Sequence, residues 1–271
     1  MTRVALLTTV FILTAHTAAY ATWSVIAVDR DRGVVVIASA TCVQQASLEK
    51  FPAKDLRDIQ AIVVPGIGVA AAQAGVDATR ANQRLIFAEL QKGTAPDQIL
   101  ELLKQDPAIE RRQFGIVDMQ GRMAGFSGTR NQPVSLDRHG QVPGTEIYYS
   151  IQGNILTNEA VVTDAVNALV SARGDLTDRV MAAMEAADAK GGDNRCSCEK
   201  GPQLKAPCTT KTAHVAYILR ADKGDRNGDS FNDGTYAMYI SVTDSDITAA
   251  EDANPVKTLR MRYDTWKSAR K

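Results

Sequence analysis

Histidine is scarce in this 271-residue chain, with three in all, and aromatic residues make up only 6%. A metal centre built on several imidazoles therefore lacks its ligands. Neither sign of charge is in excess: 31 Lys and Arg face 31 Asp and Glu. That balance speaks against a nucleic-acid partner and against a strongly basic membrane-binding surface. The few aromatics are not interleaved with Lys/Arg runs, which argues the same way. No stretch is rich enough in proline, serine or charge to act as a linker, so one domain over residues 22–271 is expected. Hydrophobic content of 45% is ordinary for a protein with a core.

One long apolar run is present, and it stands first. Arg3 supplies a positive start, residues 4–13 are almost wholly apolar, and Ala19-Tyr20-Ala21 has the small-x-small pattern of a signal-peptidase site. Interrupted by Thr8, Thr9 and Thr14, the run is short for ~30 Å of hydrocarbon, which disfavours a retained anchor. Residues 1–21 are therefore expected to be a cleaved export signal. The mature chain would begin at Thr22, be periplasmic or secreted, and contain no membrane span.

Export changes the reading of Cys42, Cys196, Cys198 and Cys208. An even count in an oxidising compartment favours disulfides, and four cysteines allow three pairings. We expect Cys42 to pair with one of the other three, because both regions should approach the same sheet end. Zinc fits less well: Cys196-x-Cys198 lacks the usual ligand spacing, and only His139 and His214 follow the signal.

After the signal, residues 22–28 and 34–39 form two apolar, β-branched runs around a polar turn and Gly33, a hairpin pattern. Two further strands are expected over 61–64 and 67–73, and a hairpin over 114–117 and 122–126 around Asp118-Met119-Gln120-Gly121. Between them the apolar period lengthens to that of helices: Asp77 is a candidate cap for one ending near Gly93, and Thr94 for one stopped at Asp106-Pro107. Residues 130–143 read as a surface loop. A strand over 147–151 precedes helices over 160–172 and 176–189, then strands over 213–219 and 236–242. Asn254-Pro255 opens a last helix. The runs are apolar on both alternating faces, so each sheet needs cover on two sides. The order of strands, helix pair, strands, helix pair and strands suits an α+β fold, a four-layer αββα sandwich.

A terminal Thr22 on the first strand would carry its own base. An α-amine has a reference pKa of about 7.7–8.0, so a useful neutral fraction exists near neutral pH. Threonine Oγ with its own amine is a recognised activated-nucleophile arrangement. Many exported proteins begin with Ser or Thr by chance, so this signal is weak by itself.

The sequence also resembles a known family. Thr22-Trp23-Ser24-Val25-Ile26-Ala27-Val28-Asp29, Arg112-Gln113-Phe114-Gly115-Ile116-Val117-Asp118, Tyr149-Ser150-Ile151-Gln152-Gly153-Asn154-Ile155-Leu156 and Gly191-Gly192-Asp193-Asn194-Arg195 resemble, in order, segments of the DUF1028 family, with a looser match at Asn254-Pro255-Val256-Lys257-Thr258-Leu259. The resemblance implies an N-terminal-nucleophile (Ntn) hydrolase-like αββα fold and no established reaction. It implies a pocket in which Thr22 is the nucleophile and the carboxamides of Gln152 and Asn154 face an oxyanion. The competing reading is that Asn154 caps the following segment and Gln152 satisfies backbone groups. Asp193 and Arg195 would form a charge pair near the terminal amine, or a plain loop salt bridge. Ser39 and Gln73, at strand ends, complete the candidate set. The chain departs from the family by inserting residues 196–212 after Arg195 and by placing a cysteine at position 42.

Two other features of the sequence bear on function. Asp225, Asn227, Asp229 and Asp233 place oxygen ligands at alternate positions, as calcium loops do. Ser230 stands where an EF-hand has glycine and Tyr236 where it has glutamate, so a solvated turn competes with a calcium site. Cys42 with His214 makes no motif. The expected function is hydrolysis of an amide bond in a small-molecule or peptide substrate, without a cofactor unless calcium binds. The rival is a non-catalytic, envelope-associated binding module on the same scaffold.

Overall fold

In a computed structural model the described residues are 19–20, 22–50 and 53–270. The expected signal segment lies outside them apart from Ala19–Tyr20. Among the described residues, eleven strands and seven α-helices form two antiparallel sheets and their cover. The first sheet runs β11(Met238–Thr243), β10(Val215–Asp222), β3(Val34–Thr41), β2(Thr22–Asp29), β9(Ile147–Asn154), β8(Leu136–Gln141). The second runs β5(Gly68–Gly75), β6(Arg112–Asp118), β7(Met123–Ser127), with β4(Ala61–Val64) and β1(Ala19–Tyr20) both paired to β5.

Every residue of β2 and β3 is buried, the signature of strands covered on both faces. Ile26, Val28, Ile37, Tyr217 and Leu219 turn toward the second sheet and meet Val63, Val69, Ala71 and Val117. Leu48 of α1(Gln45–Lys50) and Leu56 and Ile59 of α2(Leu56–Gln60) close one end of that slot. The alternate residues Trp23, Val25 and Ala27 point the other way, into a core shared with α5(Ala160–Ser171), α6(Leu176–Ala189) and α7(Pro255–Ser268). Ile86 and Leu90 of α3(Ala81–Lys92) and Ile99 and Leu103 of α4(Pro96–Leu103) cover the outer face of the second sheet on Ile62, Ala70 and Phe114. Each sheet thus carries helices on the side turned away from its partner. Among the described residues, no helix is long and apolar enough to cross a membrane.

Local chemistry explains the boundaries, including those that differ from expectation. Asp77 does not cap α3 as its Ncap residue; that place falls to Arg80, in the left-handed region at φ 58°. The Asp77 carboxylate still accepts from the Thr79 and Ala81 N–H groups. Thr94 donates to Glu89 instead of capping α4, whose first turn starts with Pro96 after Ala95. The segment expected to be a loop over 130–143 contains β8. Among the described residues this edge strand pairs only with β9 and is largely solvated, so it lacks the alternation that marks a buried strand. Asn254 caps α7 as expected, accepting from the Val256 N–H with Pro255 at the first helical position.

Candidate functional site

Strand register assembles the site. Thr22 lies opposite Thr41 on β3 and Asn154 on β9, and Ser24 lies opposite Ser39 and Gln152. Directly opposed residues share a face, and residues two apart along a strand share it too. Thr22, Thr41, Asn154, Ser24, Ser39 and Gln152 therefore all face the second sheet, at the end of the slot where aliphatic packing stops. The Thr22 hydroxyl donates to Thr41 Oγ1 at 3.4 Å, and Thr41 Oγ1 also accepts from the Val43 N–H at 3.2 Å. Thr22 is 2% exposed.

Beneath Thr22 lies a bed of carboxamides. Gln73, reaching across from β5, donates to the Thr22 carbonyl at 3.0 Å and to Gln113 Oε1 at 2.7 Å. Its own oxygen accepts from Ser24 Oγ at 2.8 Å and Gln60 Nε2 at 2.6 Å. Gln113 Oε1 also accepts from Asn154 Nδ2 at 3.2 Å, while Gln113 Nε2 donates to the Gly153 carbonyl and to Ser127 Oγ, both at 2.9 Å. The network cross-links both sheets immediately below the first residue of β2. Among the described residues Asn154 Nδ2 donates to Gln113 alone, one of the two N–H groups it has to give.

Gln152 sits one rung deeper, opposite Ser24, with Nε2 donating to the Ala71 carbonyl at 3.2 Å. Its Oε1 and the hydroxyl of Ser150 are buried without hydrogen-bond partners. They face Gly115, where an added Cβ would stand 2.7 Å from Ser150 Oγ and 3.1 Å from Gln152 Oε1. Asn154, not Gln152, is the carboxamide on the rung of Thr22. Ser39 donates to the Trp23 carbonyl at 2.6 Å and so anchors β2 from beside.

Asp193 and Arg195 approach from the other side of the Thr22–Thr41 rung. The Asp193 side chain is fully buried. It accepts from the Arg195 guanidinium at Nε (3.0 Å) and Nη2 (2.7 Å), from the Arg195 backbone N–H at 3.1 Å and from the Cys42 N–H at 2.9 Å. The two-point fork fixes the guanidinium plane, and the Cys42 contact fixes the pair to the residue after Thr41. Cys42 is disulfide-bonded to Cys196, and Cys198 to Cys208, so the expectation for Cys42 holds and the alternative of a Cys42 nucleophile with His214 does not. The inserted segment after Arg195 is thereby stitched to β3. A small crevice with space for little more than one water molecule opens beside Thr22; Leu48, Leu56, Ile59, Ala74 and Val76 supply its apolar wall, and Gln60 and Gln73 line it too.

The Asp-rich loop stands apart from this site. Asp225 Oδ2 accepts from the Asp222 and Ala237 N–H groups, and Asp233 Oδ1 from that of Ser230. These carboxylates serve the turn, and among the described residues no three His, Cys, Asp or Glu side chains gather to hold a metal ion.

Thr41, Ser24, Gln60 and Gln113 were not singled out from sequence. The hairpin turn at residues 30–33 does set Thr41 opposite Thr22, so strand counting would have found it. Gln60 ends a single helical turn in a segment without clear periodicity, and nothing local marks it.

Two facing antiparallel sheets with helices on their outer sides, and a threonine opening a central strand above a polar bed, define the class: a mixed α+β protein of layered build. The chain belongs to the DUF1028 family, described as a family of unknown function, whose model matches residues 22–225. It is similar in fold to the crystal structure of a DUF1028 protein from Silicibacter pomeroyi, with a TM-score of 0.64 and 19% identity over 90% of this chain and 88% of that one. No curated protein matches the sequence.

Proposed function

We propose that the protein is an exported amide hydrolase of the Ntn type, an αββα sandwich in which Thr22, freed by removal of residues 1–21, is the nucleophile. The observation that carries this reading is the position of Thr22. It is the first residue of a central strand, on one rung with Thr41 and Asn154, and held by Gln73 of the facing sheet. The family match beginning at residue 22 supports it. The two disulfides fit an oxidising compartment outside the cytosol.

In the processed chain the α-amine takes the proton of Thr22 Oγ1 as that oxygen attacks the amide carbonyl. The second N–H of Asn154 faces the developing oxyanion, and the amine then protonates the leaving nitrogen. Water hydrolyses the Thr22 ester, with the amine again as base, and releases a carboxylic acid. Asp193 neutralises Arg195 beside the new terminus and keeps net charge at the amine small.

An electrophile selective for terminal threonines, applied to protein whose N-terminus has been verified by mass, tests the reading. It should label wild type and Thr22→Ser but not Thr22→Ala. Resistance of the wild type across neutral to alkaline pH would sink the nucleophile and leave the binding module in its place.

A further inference from the structure

The edge of β5 on the side away from β6 is filled in two pieces. β4 pairs with Gly68 to Ala71 and goes no further, because the chain enters β4 at Ala61 directly from α2. Beyond that end Tyr20 pairs with Ala74 and Ala19 with Gly75, antiparallel. β6 occupies the opposite edge as far as Ala74, so β1 extends the line of β4. Two residues after Tyr20 the chain is already in the other sheet, as Thr22 of β2. This short edge thus accepts an extended segment and delivers its C-terminal end at Thr22. The Arg112 guanidinium also donates to the Gly75 carbonyl at 2.5 Å, which steadies the edge from the β6 side.

We propose that the processed protein takes an extended peptide as its substrate, laid antiparallel on Ala74 and Gly75 where β1 lies in the longer chain. This proposal rests on the nucleophile reading. Removal of residues 1–21 leaves this stretch of β5 edge without a strand among the described residues, and an unpaired edge takes up an extended chain through its main-chain groups. The direction of β1 sets the polarity: the acyl side of the substrate lies along β5 and the leaving amine points away. In the reaction the Thr22 Oγ1–carbonyl bond forms as the peptide C–N bond breaks. The hydroxyl proton passes through the terminal amine to the leaving nitrogen, and water then splits the ester to regenerate Thr22.

The test uses mature protein beginning at Thr22 and acyl-tripeptide amides of a fluorogenic amine. Turnover is read as kcat/KM. An antiparallel pair exchanges both hydrogen bonds at alternate residues, so methylating one of the two upstream amide nitrogens should cost at least tenfold and methylating the other little. Binding of the peptide with the sequence of residues 17–21 is followed separately by anisotropy and should show the same N-methyl dependence. If Thr22 is labelled by the electrophile but neither turnover nor binding responds to N-methylation, the peptide proposal is overturned and the nucleophile stands. If Thr22 resists labelling and no amide is cleaved, the nucleophile reading fails and the substrate proposal falls with it, whatever the peptide binds.

Discussion

At the scale of single residues, two side chains would, under the proposed mechanism, separate chemistry from support. Asn154 shares the rung of Thr22 and keeps one N–H uncommitted, so Asn154→Ala should slow turnover by roughly 10²–10³ with a smaller change in KM. Gln152 donates within the slot to Ala71, so Gln152→Ala should act chiefly on stability, read as a lower urea midpoint. His214 gives a pH prediction. Burial, with Lys211 and Arg195 nearby, pushes it down from an ordinary 6.5 to about 4. Between those values the unfolded chain binds a proton that the folded protein does not, so stability falls as pH drops through that window. Asp244, 4.0 Å away, is shifted upward by burial and acts in the opposite sense nearer its own titration. His214 stays neutral at pH 7, so this contact is no salt bridge there. Wild type should lose about 2 kcal/mol more than His214→Gln between pH 7 and pH 5, measured by urea unfolding. Equal losses would show that His214 is not the titrating group.

At the scale of elements, the covered strands and the later helices were legible because burial on both faces imposes unbroken apolar runs, as in β2 and β3. The edge strand β8 was not, since Leu136, Asp137, Arg138 and His139 face solvent at least in part and carry no such pattern. The site was legible in half. Thr22, Asn154 and Asp193 lie in recognisable segments, whereas Gln60 and the partnership of Gln73 with Gln113 depend on two sheets meeting, which no local pattern records. Disulfide connectivity likewise needed three dimensions. It yields a ranking. Cys42 and Cys196 are 154 residues apart in sequence, Cys198 and Cys208 only 10. Chain entropy assigns the first link about 5 kcal/mol and the second about 3. Cys42→Ala with Cys196→Ala should therefore lower the melting temperature more than Cys198→Ala with Cys208→Ala. The reverse order would place the stabilisation in the native state and not in the unfolded chain. The first pair adjoins the Cys42 N–H contact to Asp193, so its loss should also loosen Arg195.

At the scale of the whole molecule, one measurement bears on both export and chemistry. Intact mass of the exported protein should correspond to a chain beginning at Thr22, with no thiol open to alkylation in denaturant until reductant is added, as all four cysteines are paired. Any residue left before Thr22 would acylate the base and exclude the mechanism. The bed under Thr22 has a different consequence. Ser24, Gln60, Gln73, Gln113 and Asn154 carry no ionisable group, and Tyr217, which donates to Gln60 at 3.4 Å, is pushed well above its ordinary range by burial. Dipoles locked this way behave as a solvent frozen in one orientation. Under the proposed mechanism they need not turn when charge develops above them, and neither acid nor salt rearranges them.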